Sequence, residues 1–273
     1  MDEQYTGEPP GKELVEASKE IVGSAAGASL GLIFGAGPEG AIVGAAITPA
    51  IIRTLKWGAN EMAMRVLGRQ EKAKVGAALT FTAERAEHLQ REGYSLRADS
   101  FFDTMPDGRN ASRELVEGVV LAARQQFEEL KIRHLGYLFA NIAYDSNLDA
   151  ALANYGIGQA EKLSWRQFVL LAALGRKDRM VLPDGDISDD PGEWNAWGVR
   201  RELMDLYEDR YIGAPSQQRA KYGLSYPNTS LRDLRLAHGG QLLHHLLSLD
   251  TIRDEEITAI HNELHSAPSG ETE

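Results

Sequence analysis

The chain has no cysteine, which excludes disulfide bonds, thiolate metal sites, iron–sulfur clusters and cysteine nucleophiles together. It also lacks an excess of basic residues, because 29 Lys and Arg stand against 40 Asp and Glu. The net charge of −11 argues against a general nucleic-acid-binding protein, since phosphate affinity comes from clustered cations. With 273 residues, 43% hydrophobic and 25% charged, the chain is long enough for one large or two modest folded domains.

Charge is scarcest in residues 21–52, where Glu39 is the only charged residue. Glycines recur there at four-residue spacing: Gly23, Gly27, Gly31, Gly35, and again Gly40 and Gly44. In water each interior glycine weakens a helix by about 1 kcal/mol. In lipid the same spacing lets a second helix approach closely. We therefore interpret this stretch as a glycine zipper that packs helices, most favourably in a membrane.

A turn at residues 37–40, of sequence GPEG, divides this stretch into a helical hairpin within residues 12–57. Each arm, near 20–36 and 41–57, is about 25 Å long, the lower limit for crossing a bilayer. Two full spans and a shallow re-entrant hairpin both fit, and Pro49 is expected to kink the second arm.

Basic residues flank this hairpin on both sides, which predicts that both of its ends stay cytoplasmic. The acidic N-terminus, which has no basic segment directly before the apolar run, argues against a secretory signal peptide. The residues predicted to lie at the membrane interface are Arg53, Lys56 and Trp57. In the alternative reading, the hairpin is the buried Ala/Gly-rich centre of a soluble helical assembly.

Residues 58–162 are predicted to form a helical body, because apolar residues recur at helical spacing. Its first helix is expected to run unbroken over 58–92 and to end at Gly93. Phe101 and Phe102, in the connector 94–112, are expected to be buried. Ser112 is expected to cap the next helix, which continues to about Lys131. Two further helices are predicted at 132–143 and 149–162.

Residues 163–265 are predicted to be a smaller α+β module. Ser164 is expected to cap its first helix, whose buried face carries Phe168, Leu170, Leu171 and Leu174. A loop at 177–195 and a helix at 197–209 follow. Two strands at 210–215 and 231–238 are expected to pair, and Gly239-Gly240 is expected to break the chain. The last helices are predicted at 241–249 and 251–265.

The segment RRELMDLYEDRYIG…DLRLAHGGQLLHHLLSL resembles winged-helix proteins, over roughly residues 163–250. In DNA-binding winged-helix proteins the helix before the hairpin enters the major groove. Acidic residues outnumber basic ones on that helix here, so we favour contact with a protein or a structural role. The cations available for such a contact are Arg200, Arg201, Arg210, Arg219, Lys221 and Arg232.

The segment HLGYLFANIAYDSNLDAAL…LSWRQFVLLAAL is similar to helical proteins of the bacterial abortive-infection alpha group, over about residues 114–175. The matching residues are Leu135, Phe139, Ala140, Asn141, Asp145, Leu163 and Ser164. This resemblance implies a role in phage defence or stress, and it brings no catalytic residues with it.

No motif for catalysis or for a cofactor stands out in the sequence. His261 and His265 have a metal-ligand spacing, but a third ligand is not evident. The acidic loop 184–190 departs from a calcium loop, and Gly35–Gly40 matches a dinucleotide fingerprint only in its letters. We therefore expect no enzyme activity, no metal and no cofactor.

Taken together, these patterns predict a mainly α protein with a glycine-rich hairpin, a helical body and a winged-helix-like module, between loose tails at 1–11 and 266–273. The favoured function is a non-enzymatic bacterial protein at the cytoplasmic side of the inner membrane, which it perturbs by assembling with further copies of itself. The alternative is a soluble cytoplasmic regulatory or protein-interaction protein in which the hairpin is core.

Overall fold

The computed structural model describes residues 47–176, 182–187, 192–214 and 230–265. This part of the chain is mainly helical, as predicted, and it divides into two compact units at the junction of Lys162 and Leu163. The two predicted tails, the turn at 37–40 and the six glycines of the predicted hairpin lie outside the described residues.

The first unit contains five helices within its described residues. They are α1 (Pro49–Ala63), α2 (Arg69–Arg91), α3 (Ala111–Gln125), α4 (Leu130–Ala143) and α5 (Ala150–Lys162). A 3₁₀ turn at Ser100–Phe102 lies in the connector between α2 and α3. The helix predicted at 149–162 is confirmed by α5.

These five helices alternate in direction. The first turn of α2 contacts the last turn of α3, because Glu71 Oε1 accepts from Arg124 Nε at 2.7 Å. The start of α4 contacts the end of α5, because Lys131 Nζ donates to the carbonyl oxygen of Glu161 at 3.2 Å. The unit is therefore an up-and-down helical bundle. One end holds the α1–α2 and α3–α4 connectors, and the other holds the longer connector at 92–110.

The prediction of a single helix over 58–92 is wrong, because one helix ends at Ala63 and the next begins at Arg69. Gly68 is the N-cap of α2, and Glu71 Oε2 accepts a hydrogen bond from its backbone N–H at 2.8 Å. The apolar spacing is misleading here, since Val66 is fully exposed although it fits the helical pattern. The predicted end at Gly93 is confirmed by its φ of +86°, which favours glycine.

Pro49 begins α1 and does not kink it, which corrects the prediction for the second hairpin arm. Proline is tolerated in the first turn of a helix, where its missing N–H has no helical partner. The described part of that arm therefore lies in α1, whose buried residues include Ile51 and Leu55.

The predicted cap at Ser112 is wrong, and Asn110 caps α3. Asn110 Oδ1 accepts from the backbone N–H of Arg113 at 3.0 Å, while Ser112 Oγ donates to the same oxygen at 2.7 Å. The helix also ends at Gln125, short of the predicted Lys131, because Gln126 has an extended backbone. The carbonyl oxygen of Gln126 accepts a hydrogen bond from Lys74 Nζ on α2, and this contact fixes the turn into α4.

The core of the bundle lies where α2 and α4 run side by side. Gly136 on α4 permits this close approach, because a Cβ there would lie 2.5 Å from the carbonyl oxygen of Ala78. Thr82 Oγ1 donates to the carbonyl oxygens of both Ala78 and Gly136. Phe101 is buried as predicted, with its ring centroid 6.3 Å from that of Phe139, whereas Phe102 is half-buried.

The second unit comprises α6 (Trp165–Gly175), α7 (Trp194–Glu208), β1 (Ile212–Gly213), β2 (Arg235–Leu236), α8 (His238–Leu246) and α9 (Asp254–His265). Ser164 caps α6 as predicted, with its Oγ accepting from Gln167 N and Gln167 Oε1 accepting from Ser164 N. The buried face predicted for α6 is confirmed. Helix α7 begins three residues before the predicted Trp197, and part of the predicted loop 177–195 lies outside the described residues.

The two predicted strands pair, as short antiparallel strands with Ile212 opposite Leu236. An isolated bridge joins Asp186 to Ser230 beside them. The expected break at Gly239-Gly240 is wrong, because both glycines lie in α8. Gly240 packs against the backbone before β1, where a Cβ would lie 2.1 Å from the carbonyl oxygen of Tyr211. The glycine pair therefore allows close packing and does not end an element.

Candidate functional site

The surface of α1 carries the residues predicted to lie at a membrane interface. Arg53, Lys56 and Asn60 are exposed, and Trp57 is half-buried on the same side of the helix. Arg113, exposed on the neighbouring α3, holds its guanidinium carbon 5.6 Å from the centroid of the Trp57 ring. We call Arg53, Lys56, Trp57 and Arg113 the basic face of the first unit. Arg113 was not singled out from the sequence, because only packing brings α3 against α1.

Two acidic side chains of α1 and α3, Glu61 and Glu117, pair with Arg65. Arg65 lies 2.5 Å from Glu117 Oε1 and 3.4 Å from Glu61 Oε1, and its pKa is raised mainly by its hydrogen bond to Glu117. Glu114 lines a separate pocket together with Arg109. Over the described ranges, no carboxylate forms an ion pair with a cation of the basic face. The face is therefore locally cationic in an acidic chain.

The pocket that contains Glu114 lies beside the 92–110 connector and has a volume of about 340 Å³. Arg97 forms part of its wall, and its side chain is only 5% exposed. It donates to Asp99 Oδ1 at 2.8 Å and to the carbonyl oxygen of Leu148 at 2.9 Å. The guanidinium also lowers the pKa of Asp99 through this hydrogen bond. These pairings clamp the connector onto the bundle.

Six cations were predicted for the winged-helix-like module, and three of the four that the structure describes are engaged within the second unit. Arg200 Nη1 donates to the carbonyl oxygen of Asp186, Arg201 pairs with Asp205 at 2.9 Å, and Arg232 pairs with Asp184 at 2.9 Å. Arg210 is exposed and has a left-handed backbone, with φ of +62°. Arg219 and Lys221 lie outside the described residues. The described part of this module therefore offers little unpaired positive charge for phosphate binding.

Two exposed tryptophans at the start of α7 were missed by the sequence analysis. Trp194 is 85% exposed and Trp197 is 50% exposed, and their ring centroids lie 6.3 Å apart in an edge-to-face arrangement. Their spacing of three residues places them on one side of the helix. That spacing was visible in the sequence, but tryptophans at helical spacing are more often part of a core.

The residues of the abortive-infection resemblance are mainly structural. Leu135, Phe139 and Ala140 are fully buried in α4. Asn141 is also buried, and its Oδ1 accepts from Arg85 Nε at 3.0 Å. Asp145 Oδ1 accepts from the backbone N–H of Asn147 at 2.9 Å in the turn after α4. Leu163 is buried, and Ser164 caps α6.

His244 in α8 packs directly on the end of α6. A Cβ on Gly175 would lie 2.3 Å from His244 Nε2, so the imidazole occupies the space that any larger residue would need. Nε2 is buried and has no hydrogen-bond partner among the described residues. Burial also lowers the pKa of His244 below its ordinary value. His244 is half-buried, whereas its neighbour His245 is exposed.

The described segments contain no cluster of three or more His, Asp or Glu residues arranged to hold a metal ion. In the same part of the chain, each helix falls short of the length or apolar character required to span a bilayer. Comparison with protein-family models, curated proteins and solved structures finds no match to this chain.

Proposed function

We propose that this chain is a non-enzymatic, membrane-associated bacterial protein. In this proposal, residues 21–46, the part of the predicted glycine-rich hairpin that precedes the bundle, enter the cytoplasmic side of the inner membrane, and several copies assemble through this segment. The helical bundle holds the hairpin in position, and the assembled hairpins perturb the bilayer. Close approach of helices through Gly27, Gly31, Gly35 and Gly44 is the physical basis of the assembly.

The observation that carries this proposal is the packing of α1. Its apolar residues Ile51, Leu55 and Met62 are completely buried. A Cβ on Gly58 would lie 3.3 Å from Val116 on α3 and 3.9 Å from Leu79 on α2. The apolar side of α1 is thus covered by its own bundle. Because this side of α1 packs within the protein, the proposal assigns insertion into the bilayer to the charge-poor stretch at residues 21–46.

Carbonate extraction of membranes from expressing cells tests the proposal, with the intact chain compared with a deletion of residues 21–46. The deletion stops before Ile47 and Ile51, which are 3% and 0% exposed and belong to the core. We expect the intact chain to remain in the membrane pellet and the deletion variant to be soluble and folded. Recovery of the intact chain in the carbonate supernatant would refute membrane insertion.

Assembly through glycines is tested by Gly31→Leu, which places a large side chain on the proposed contact stripe. Ser29→Leu is a matched control, because it adds the same side chain on a different side of a helix. We expect Gly31→Leu to abolish cross-linked oligomers and membrane permeabilisation, and Ser29→Leu to retain both. Equal behaviour of the two variants would rule out the glycine stripe as the contact surface.

The resemblance to the abortive-infection alpha group extends the proposal to a phage-defence or stress role. Plaque counts on cells that express the intact chain or Gly31→Leu test this extension. We expect protection only with the intact chain. Protection by both variants would separate defence from membrane assembly.

We further propose that the second unit is a winged-helix-like module. This proposal is supported by the order α7, β1, β2, α8, by the antiparallel pairing of the strands, and by the additional bridge between Asp186 and Ser230.

The second candidate function is a soluble regulatory protein that uses this module to bind another protein, and the exposed Trp194 and Trp197 favour it. Tryptophan is enriched at the energetic centres of protein interfaces, whereas the paired arginines of α7 disfavour DNA. A salt-sensitive complex with duplex DNA would reverse this preference.

A further inference from the structure

We infer that the basic face of the first unit, formed by Arg53, Lys56, Trp57 and Arg113, binds the anionic headgroups of a lipid surface. This inference rests on the proposed membrane association and adds the lipid class and the side of the bundle that meets the bilayer.

The geometry of α1 supports this contact. Arg53, Lys56 and Trp57 lie at positions i, i+3 and i+4, so they share one side of the helix. This side lies opposite the buried residues Ile51 and Leu55, which contact the bundle. Helix α1 can therefore lie along a membrane with its cations toward the headgroups and its apolar side toward the protein.

Trp57 adds a second property of a membrane-facing surface. Its indole is half-buried against the bundle, and Arg113 lies over its ring at 5.6 Å. Tryptophan is enriched at membrane–water interfaces because its ring is both apolar and polar. Arginine over an aromatic ring keeps its N–H donors available for phosphate oxygens.

Charge complementarity identifies the occupant. Elsewhere in the same unit Arg65, Arg97 and Arg124 lie in ion pairs with carboxylates. The three cations of the basic face have no such pair within the part of the chain that the structure describes. The face also follows the charge-poor stretch closely in sequence, which would hold it near the bilayer. A flat anionic lipid surface is the partner that matches all these features.

The test is sedimentation of the full chain with vesicles of phosphatidylcholine alone or with added phosphatidylglycerol. We expect tighter binding to the phosphatidylglycerol vesicles, because each cation near an anionic surface strengthens binding about fivefold. The triple variant Arg53→Gln, Lys56→Gln, Arg113→Gln should reduce this preference by roughly 100-fold. Added salt should weaken the preference of the wild type.

A matched control removes three cations that have carboxylate partners: Arg201→Gln, Arg232→Gln, Arg253→Gln. Arg253 pairs with Glu256 at 2.8 Å, and the net charge of the chain changes equally in both triple variants. We expect the control to keep the lipid preference. Circular dichroism of both variants verifies that they are folded.

The outcomes separate this inference from the proposed function. Equal binding of the wild type to both vesicles, or an unchanged preference in the first variant, would overturn the inference and leave membrane association standing. Release of the intact chain by carbonate would overturn the proposed insertion. Binding of duplex DNA through these cations, without binding to phosphatidylglycerol vesicles, would assign the face to nucleic acid and overturn the lipid contact.

Discussion

Thr82 Oγ1 on α2 donates a hydrogen bond to the carbonyl oxygen of Gly136 on α4 at 2.9 Å, at the closest approach of these two helices. A Cβ on Gly136 would lie 2.5 Å from the carbonyl oxygen of Ala78 and 2.9 Å from Phe81 Cβ. The helices of this bundle thus come together through a small residue. The same physical device is proposed for the N-terminal glycines in a membrane.

Gly136→Ala is expected to destabilise the first unit by about 1–3 kcal/mol, because the added methyl group must displace the α2 backbone. The free energy of unfolding from urea denaturation, followed by circular dichroism, measures this loss. Gly158→Ala in α5 is the control, since its Cβ would meet nothing within 4 Å. There we expect a gain of about 0.5–1 kcal/mol from helix propensity. Similar losses at both sites would contradict the packing at Gly136.

The contact between Gly175 and His244 predicts that residue 175 must be small as long as residue 244 is large. Gly175→Ala should cost about 1–3 kcal/mol, since its Cβ would lie 2.3 Å from His244 Nε2. In a His244→Ala background the same substitution should cost almost nothing, because the imidazole is gone. A double-mutant cycle from urea denaturation measures this coupling. Additive effects would show that the two residues do not meet.

The buried imidazole of His244 also predicts a pH dependence of stability. Its charged or titratable neighbours are Arg176, which directly follows α6, Asp250 in the 3₁₀ turn Leu249–Thr251, and His245 on its own helix. Arg235 of β2 is exposed and donates to the carbonyl oxygens of Arg232 and Leu234, which precede the strand. Burial is the main cause that holds the pKa of His244 below its ordinary value of 6.5, and Asp250 opposes it. As the pH falls below that value, the unfolded chain therefore binds a proton before the folded one does.

We therefore expect the free energy of unfolding of the second unit to fall as the pH decreases from 6.5 toward the folded-state pKa of His244. At pH values below that folded-state pKa, His244 should cause no further loss of stability. His244→Gln should abolish this part of the pH dependence, whereas His245→Gln at the exposed neighbour should keep it. Urea denaturation of the variants between pH 5 and 8 provides the measurement. Identical profiles for wild type and His244→Gln would refute the role of this imidazole.

Asn110 joins the 92–110 connector to the start of α3. Its Oδ1 accepts from Arg113 N and Ser112 Oγ, and its Nδ2 donates to the carbonyl oxygen of Phe102 at 3.0 Å. Asn110→Ala should cost about 1–2 kcal/mol in thermal or urea denaturation, through loss of the cap. Ser112→Ala should cost less, because Asn110 still caps the helix without it. The reverse order would restore Ser112 as the dominant capping residue.

Local chemistry explains which elements were predictable from the sequence. The cap and buried face of α6 follow from Ser164 and from the apolar spacing after it, and the end of α2 follows from Gly93. The short strands were predictable because alternating residues flank a polar, turn-rich segment. Helix ends that fall within an apolar pattern could not be predicted. Met64 and Val66 fit a helical repeat, yet they are 77% and 100% exposed. The role of the Gly239-Gly240 pair was predicted wrongly, because the carbonyl oxygen that leaves no room for a Cβ at Gly240 belongs to Tyr211, which is distant in the sequence.

The candidate sites likewise contain residues that could be grouped from the sequence and residues that only packing brings together. Arg53, Lys56 and Trp57 could be grouped from the sequence, because one helical turn brings them together. Arg113 joined them only through the packing of α3 on α1. The arginines of the second unit looked available in the sequence, but ion pairs with Asp184 and Asp205 engage two of them. Charge counts do not reveal which cations are paired.

The amino-acid sequence alone determined the helical class and the charge-poor glycine repeat, because periodicity and composition act over neighbouring residues. Tertiary structure decided where helices break, which glycines are required and which cations stay unpaired. Those properties depend on atoms far apart in the chain, such as Gly136 and Ala78 or Trp57 and Arg113, which meet only when the helices pack.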